Sequence, residues 1–158
     1  VAKNAQIKQT DRGMRKLMAQ VERWSSVTLS VGVHQREGKR RYPGGLSVSE
    51  VARLHANGTR RMPRRDPVGD WAVSARRRVI TTGREALAET ARTGQSPMRR
   101  LELAGRKYVA EVREQFAIQP RLAPATIERK GSSKILVEHG LLWRAITFQV
   151  QLGKRTRG

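Results

Sequence analysis

The chain of 158 residues has no cysteine and few aromatics: two Phe, two Tyr and three Trp, 4% of the whole. Without thiols, a disulfide scaffold, a thiolate zinc site, an iron–sulfur cluster and a cysteine nucleophile are all excluded. No apolar run approaches the roughly 20 residues that a membrane-spanning helix needs. Val1 to Thr10 contains no apolar h-region, so no secretory leader is predicted there. Acidic side chains are scarce as well. There are 13 Asp+Glu against 33 Lys+Arg, which leaves a formal net charge of +20 and a pI near 11.8. Such a charge imposes association with polyanions at ordinary salt. The sparse aromatics count against a basic helix lying on an anionic membrane, which wants a bulky apolar opposite face.

A chain of this length fits one domain with short arms. The expected division is an N-terminal helical arm over 1–26, an α+β domain over 27–152 and a basic, flexible C-terminal tail over 153–158. From Thr10 to Trp24, Met14, Leu17, Met18 and Val21 recur at i, i+3, i+4 and i+7, one helical stripe. Val27, Leu29, Val31 and Val33 alternate with polar residues or glycine, as do Ile146, Phe148 and Val150, so each run predicts a half-buried strand. Residues 34–46 read as an exposed loop. Ser47 and Glu50 form a capping box for a short helix that ends at Asn57-Gly58. A second arginine-rich loop follows over 60–67. A longer helix is predicted from about Asp70 to Arg92, with Trp71, Val79, Ile80 and Leu87 inward and Gly83 as a weak point. Another begins at the N-cap Ser96 with Pro97 in its first position, and carries the stripe Met98, Leu101, Gly105, Tyr108, Val112 and Phe116. The short break between these two predicts antiparallel packing. A further short helix is expected over 122–131. The fold class is therefore α+β: a small antiparallel sheet joining the two distant strands, with packed helices and basic loops.

Residues that would carry catalysis are thinly spread. His34, His55 and His139 lack zinc-ligand spacing, and structural roles are expected for them. Tyr42-Pro43-Gly44-Gly45-Leu46 lacks the Lys and Ser/Thr of a phosphate-binding loop. The acids are scattered among arginines, whereas metal-dependent hydrolysis of nucleic acid needs them clustered. Asp66 and Asp70 are the closest pair, and stabilisation of a helix N-terminus accounts for Asp70. No enzyme, cofactor or metal is expected. The cations come in clusters, chief among them Arg36, Lys39, Arg40 and Arg41, then Arg60, Arg61, Arg64 and Arg65. Arginine forks on loops suit phosphate oxygens. Interleaved aromatics for base stacking are missing, as are helix-turn-helix and zinc-finger spacings. Contact with nucleic acid without sequence reading is the expectation.

Two segments are distinctive in combination. The first holds Tyr42-Pro43-Gly44-Gly45, Ser49-Glu50-Val51-Ala52, then Leu54 to Thr59 with His55 and Gly58, and Met62-Pro63. The second runs from Leu122 through Pro124, Thr126-Ile127, Arg129-Lys130-Gly131 and Ser132-Ser133-Lys134, then resumes at Gly140-Leu141 and Ala145 to Val150. In this order the chain resembles the tail-completion or neck proteins of tailed bacteriophages, the virion-morphogenesis family, from roughly Val27 to Val150. It departs from the family pattern at Ala56-Asn57, where an acidic-aromatic pair is usual. It also departs at Arg64 to Pro67, usually more apolar, and at Glu138-His139, usually polar. These departures lie near the heart of the motif and bear on partner contacts.

The resemblance implies a non-enzymatic structural subunit that self-associates in a ring, hexameric or dodecameric, at the head–tail junction. Its partners would be connector or portal-side proteins and tail-tube or terminator proteins, with no membrane. It would be assembled in the bacterial host cytoplasm and carried in the virion. Double-stranded DNA passing through the ring would meet inward cations non-specifically. Candidate channel or partner contacts are Arg36, Lys39, Arg40, Arg41, Arg60, Arg61, Arg64 and Arg65. Lys130, Ser132, Ser133 and Lys134 are candidates for contact between subunits. Structural roles are expected for Gly44, Gly45, His55, Gly58, Pro63, Pro124, Gly131 and Gly140. The competing class is a cellular non-specific nucleic-acid-binding protein, ribosome- or RNA-associated.

Overall fold

The computed structural model describes residues 12–60, 62–117 and 140–153, together with positions 124 and 128. The elements are α1 (Arg12–Trp24), β1 (Val27–Val33), α2 (Gln35–Gly38), α3 (Val48–Asn57), α4 (Pro67–Thr93), α5 (Met98–Gln115), α6 (Leu141–Ala145) and β2 (Ile146–Leu152). The fold is α+β. β1 and β2 pair antiparallel, with Val27 opposite Leu152 and Val33 opposite Ile146. Residues directly opposite share a face. Val27, Leu29, Val31 and Val33 therefore line up with Leu152, Val150, Phe148 and Ile146 to make one face wholly apolar. Ser30, Gln149 and Thr147 lie on the other face, where His34 is held at 2.9 Å from both the Ser30 and the Thr147 hydroxyls.

The apolar face packs on α5, whose Leu101, Gly105, Tyr108 and Val112 are all buried, as is Phe116 just past its end. Gly105 is needed there. A Cβ at that position would fall inside the van der Waals surface of the Phe148 ring. The core continues through Val48, Trp71, Ala75, Leu142, Ala145 and Ile146. Trp71 and Tyr108 stack at 5.3 Å between centroids, tilted by 54°, and the Trp71 indole N–H donates to Glu111 Oε2 at 2.8 Å. Thr82 and Tyr108 join hydroxyls at 2.7 Å.

Several local expectations need correction. α4 begins at Pro67, three residues early, because the Asp66 carboxylate accepts from the Gly69 N–H at 2.9 Å and proline occupies the first turn. It ends at Gly94, which takes the left-handed conformation with φ 73°. Its buried face is Trp71, Ala75, Ala86 and Thr90; Val79, Ile80 and Leu87 are exposed. The small residues let α5 approach closely, and the large apolar ones are left on the flank. α5 starts one residue later than expected. Pro97 is its N-cap, although the Ser96 hydroxyl still accepts from the Met98 N–H at 3.3 Å.

The 34–46 segment is not all loop, because α2 lies within it and Gly38 is buried against Ser49 and Val33. The Ser47–Glu50 capping box is formed as expected. α1 lies on α4 of its own chain with Leu17, Gln20 and Trp24 half-buried, whereas Met14, Met18 and Val21 of its apolar stripe are exposed. The helix expected over 122–131 lies outside the described residues, except that positions 124 and 128 are helical. The tail beyond Gly153 also lies outside them.

Candidate nucleic-acid interface

The two arginine loops expected to act alike are built differently. The first is a cationic knuckle on a braced support. The Val48 N–H bonds the Arg40 carbonyl at 2.8 Å, and the Tyr42 N–H bonds the Leu46 carbonyl at 2.8 Å. Ser49 Oγ donates to the Gly38 carbonyl at 3.1 Å, and the Tyr42 hydroxyl accepts from the Leu142 N–H at 3.1 Å, which ties the turn to α6. The Arg41 guanidinium closes the turn by donating to the Gly45 carbonyl at 2.6 Å. Gly45 sits at its tip with φ 85°, beside Gly44, where a side chain would meet open space. Arg36, Lys39, Arg40 and Arg41 all project into solvent, and none of them is in an ion pair among the described residues. Arg53 on α3 adds charge nearby, since both Arg41 and Arg53 act on Glu50. The Ser47 hydroxyl and backbone N–H hold the Glu50 carboxyl below its usual range, so it stays a capping anion.

The second loop turns two of its cations, Arg64 and Arg65, to the fold. Thr59 and Met62 bridge in a tight turn after Gly58, whose φ of 69° and closeness to the Arg64 backbone leave no room for a side chain. The Arg65 N–H bonds the His55 carbonyl at 2.8 Å, pinning the turn back on α3. Arg65, expected as a channel or partner contact, is 4% exposed, so its side chain lies within the fold of this chain. Arg64 donates to Asp70 at 2.9 Å and to Asp66 at 3.1 Å. The Asp70 hydrogen bond, more than Asp66, pushes its guanidinium further up. Asp66 and Asp70 are thus engaged at the start of α4. Arg60 is exposed and Arg61 lies outside the described residues. Pro63 is exposed beside the turn and His55 is half-buried on α3.

A second cationic surface lies on α4 and α5. Arg78 pairs with Glu111 at 2.7 Å, and Arg100 with Glu85 at 2.7 Å and with Glu89. Between these pairs, Arg77 and Lys107 flank a cleft of about 350 Å³ with Thr81 and Thr82 on its wall. Arg76, Arg77, Arg84, Arg99, Arg106 and Lys107 are exposed and enter no ion pair among the described residues. The sequence signal was present in the i, i+7 spacing of Arg77 and Arg84, but it requires knowing which face α5 covers.

The sequence-expected subunit contacts Lys130, Ser132, Ser133 and Lys134, with Gly131, lie outside the described residues, and Pro124 is exposed. Gly140 begins α6 in the left-handed conformation, φ 63°. Among the described residues no group of three His, Asp or Glu side chains could hold a metal ion. No helix among them is long and apolar enough to cross a membrane. No protein-family model, curated protein or solved structure matches the chain.

Proposed function

We propose that this protein is a structural subunit of a tailed-phage head–tail junction, forming a ring around the DNA channel and joining the connector to the tail. The observation that supports this reading best is the braced knuckle of Arg36, Lys39, Arg40 and Arg41. Its cations stand exposed on a support tied to α3 and α6, in no ion pair among the described residues, and the adjoining aromatic, Tyr42, is half-buried with its hydroxyl bonded to the Leu142 N–H. Such a surface screens phosphate charge without selecting sequence, as a channel carrying any genome segment requires. The ordered motifs of the sequence point the same way.

The test is the native mass by light scattering after size exclusion in high salt, with absorbance at 260 nm recorded. High salt strips adventitious nucleic acid, so a large species is protein held to protein. A discrete hexamer or dodecamer is expected. In the same reading, reversing Arg40 and Arg41 to Glu weakens duplex DNA equally across sequences and lowers the salt slope by about two, roughly one per phosphate contact. A monomer that binds a structured RNA one-to-one in preference to duplex DNA overturns the proposal in favour of an RNA-associated cellular protein.

A further inference from the structure

Among the described residues β1 is paired on one side only. The phase of that pairing tells which backbone groups look the other way. The Gly153 N–H bonds the Ser26 carbonyl at 3.0 Å, so Ser26 and Gly153 form a hydrogen-bonded pair. Along the register Thr28–Gln151, Ser30–Gln149 and Gly32–Thr147 are then hydrogen-bonded too. The N–H and C=O groups of Leu29 and Val31 alternate with these and point away from β2.

α4 runs beneath this edge in the direction opposite to β1. Its Val68 lies 3.9 Å from where a Cβ on Gly32 would stand, and Val79 and Leu87 share a wall with Val27 and Leu29. Between edge and helix is an apolar groove with two lobes of about 290 and 200 Å³ that share Leu29, Val79 and Tyr108. Val73 (81% exposed) and Ile80 (45% exposed) continue it outward along α4. Large apolar residues stand where a strand added to β1 would cover them, next to backbone donors and acceptors that have no partner among the described residues.

We propose that this edge accepts an extended acidic segment of a partner protein as a third strand, its apolar side chains entering the groove over α4. Charge selects the occupant. Arg76 lines the groove, and Arg77 and Arg84 follow Val73 and Ile80 around the helix, none with a carboxylate partner among the described residues. A second copy of this chain would bring the same arginines against them. An acidic strand neutralises them, takes specificity from alternate side chains and takes affinity from main-chain bonds. This inference does not rest on the knuckle of Arg36, Lys39, Arg40 and Arg41, which carries the proposed function.

The test is fluorescence anisotropy of the full chain with a labelled peptide of alternating valine and glutamate. It is run at about 0.3 M salt, where screening acts within roughly 5–6 Å. Saturable binding is expected. Methylating the amide nitrogens of the valines, or separately of the glutamates, leaves the protein untouched. One of the two patterns must weaken binding by about tenfold or more, the equivalent of one or two backbone hydrogen bonds. Ile80→Asp and Arg76→Glu, both exposed, must weaken it as well. Equal affinity for both methylated peptides, or for a peptide with the same residues in two blocks, overturns the proposal, as does no binding at all. So does a dimer of the protein at this salt that Ile80→Asp dissolves, because the groove then belongs to a second copy.

Discussion

α4 and α5 lie side by side, yet they are held in opposite ways. α4 is defined at its ends, by the Asp66 cap, Pro67 in the first turn and Gly94 at the exit. α5 has no side-chain bond from its N-cap residue and no glycine at its exit. It is defined by its face, a continuous buried stripe from Leu101 to Phe116. The difference shows that an apolar residue on a long helix is no guide to burial unless the partner surface reaches it. The sheet covers α5 and stops short of the outer flank of α4, so Val73, Ile80 and Leu87 stay in water.

If face and ends are the right description, substitutions on the α5 stripe should cost most. Phe116→Ala, at a site 4% exposed, is expected to destabilise by about 3–5 kcal/mol in urea unfolding. Gly105→Ala is a sharper probe because two effects oppose each other. Alanine favours the helix by about 1 kcal/mol, while overpacking against Phe148 costs about 1–3. Net destabilisation shows that the close approach dominates; net stabilisation would mean that the ring moves aside. At the ends, Asp66→Ala should cost about 0.5–2 kcal/mol through the lost cap of α4. The same measurement on Ser96→Ala at α5 should show a smaller loss, since its bond to Met98 is long.

Glu111, which joins the two helices, gives a pH signature. Burial raises its carboxyl, but hydrogen bonds from Trp71 and Arg78 outweigh this, and the net shift is downward. A group depressed on folding stabilises the protein above its unfolded value, about 4.3 for glutamate, and that contribution disappears as pH falls through the lower folded value. Urea midpoints followed from neutral pH into acid should therefore fall less steeply in Glu111→Gln. At the small end, Ile80→Ser on the α4 flank should change stability by no more than about 0.5 kcal/mol.

The α5 stripe, both strands and the Ser47 capping box were legible from residue order, because each depends on local periodicity or a cap three residues away. The antiparallel sense of the sheet was an expectation that residue order does not fix, since its partners lie more than 100 residues apart. The flank of α4 was not. Trp71, Val79, Ile80 and Leu87 look equally suited to a core, and only the position of the sheet decides that Trp71 is inside. The same limit separates the two arginine loops. Arg40-Arg41 and Arg64-Arg65 read alike, but Arg64 meets Asp66 and Asp70 at the start of a helix and Arg65 is drawn under α3. Those contacts depend on where Gly58 turns the chain.

The small sheet also sets the order in which the protein can be assembled. His34 and Thr147, joined across it, are 113 residues apart in the chain, whereas α4 and α5 meet across a short turn. Closing a loop of that length costs on the order of 4 kcal/mol of chain entropy, a loss the neighbouring helices do not face. The helical hairpin can therefore condense while the chain is still on the ribosome. β1, made early, must then wait for its strand partner until β2 leaves the exit tunnel.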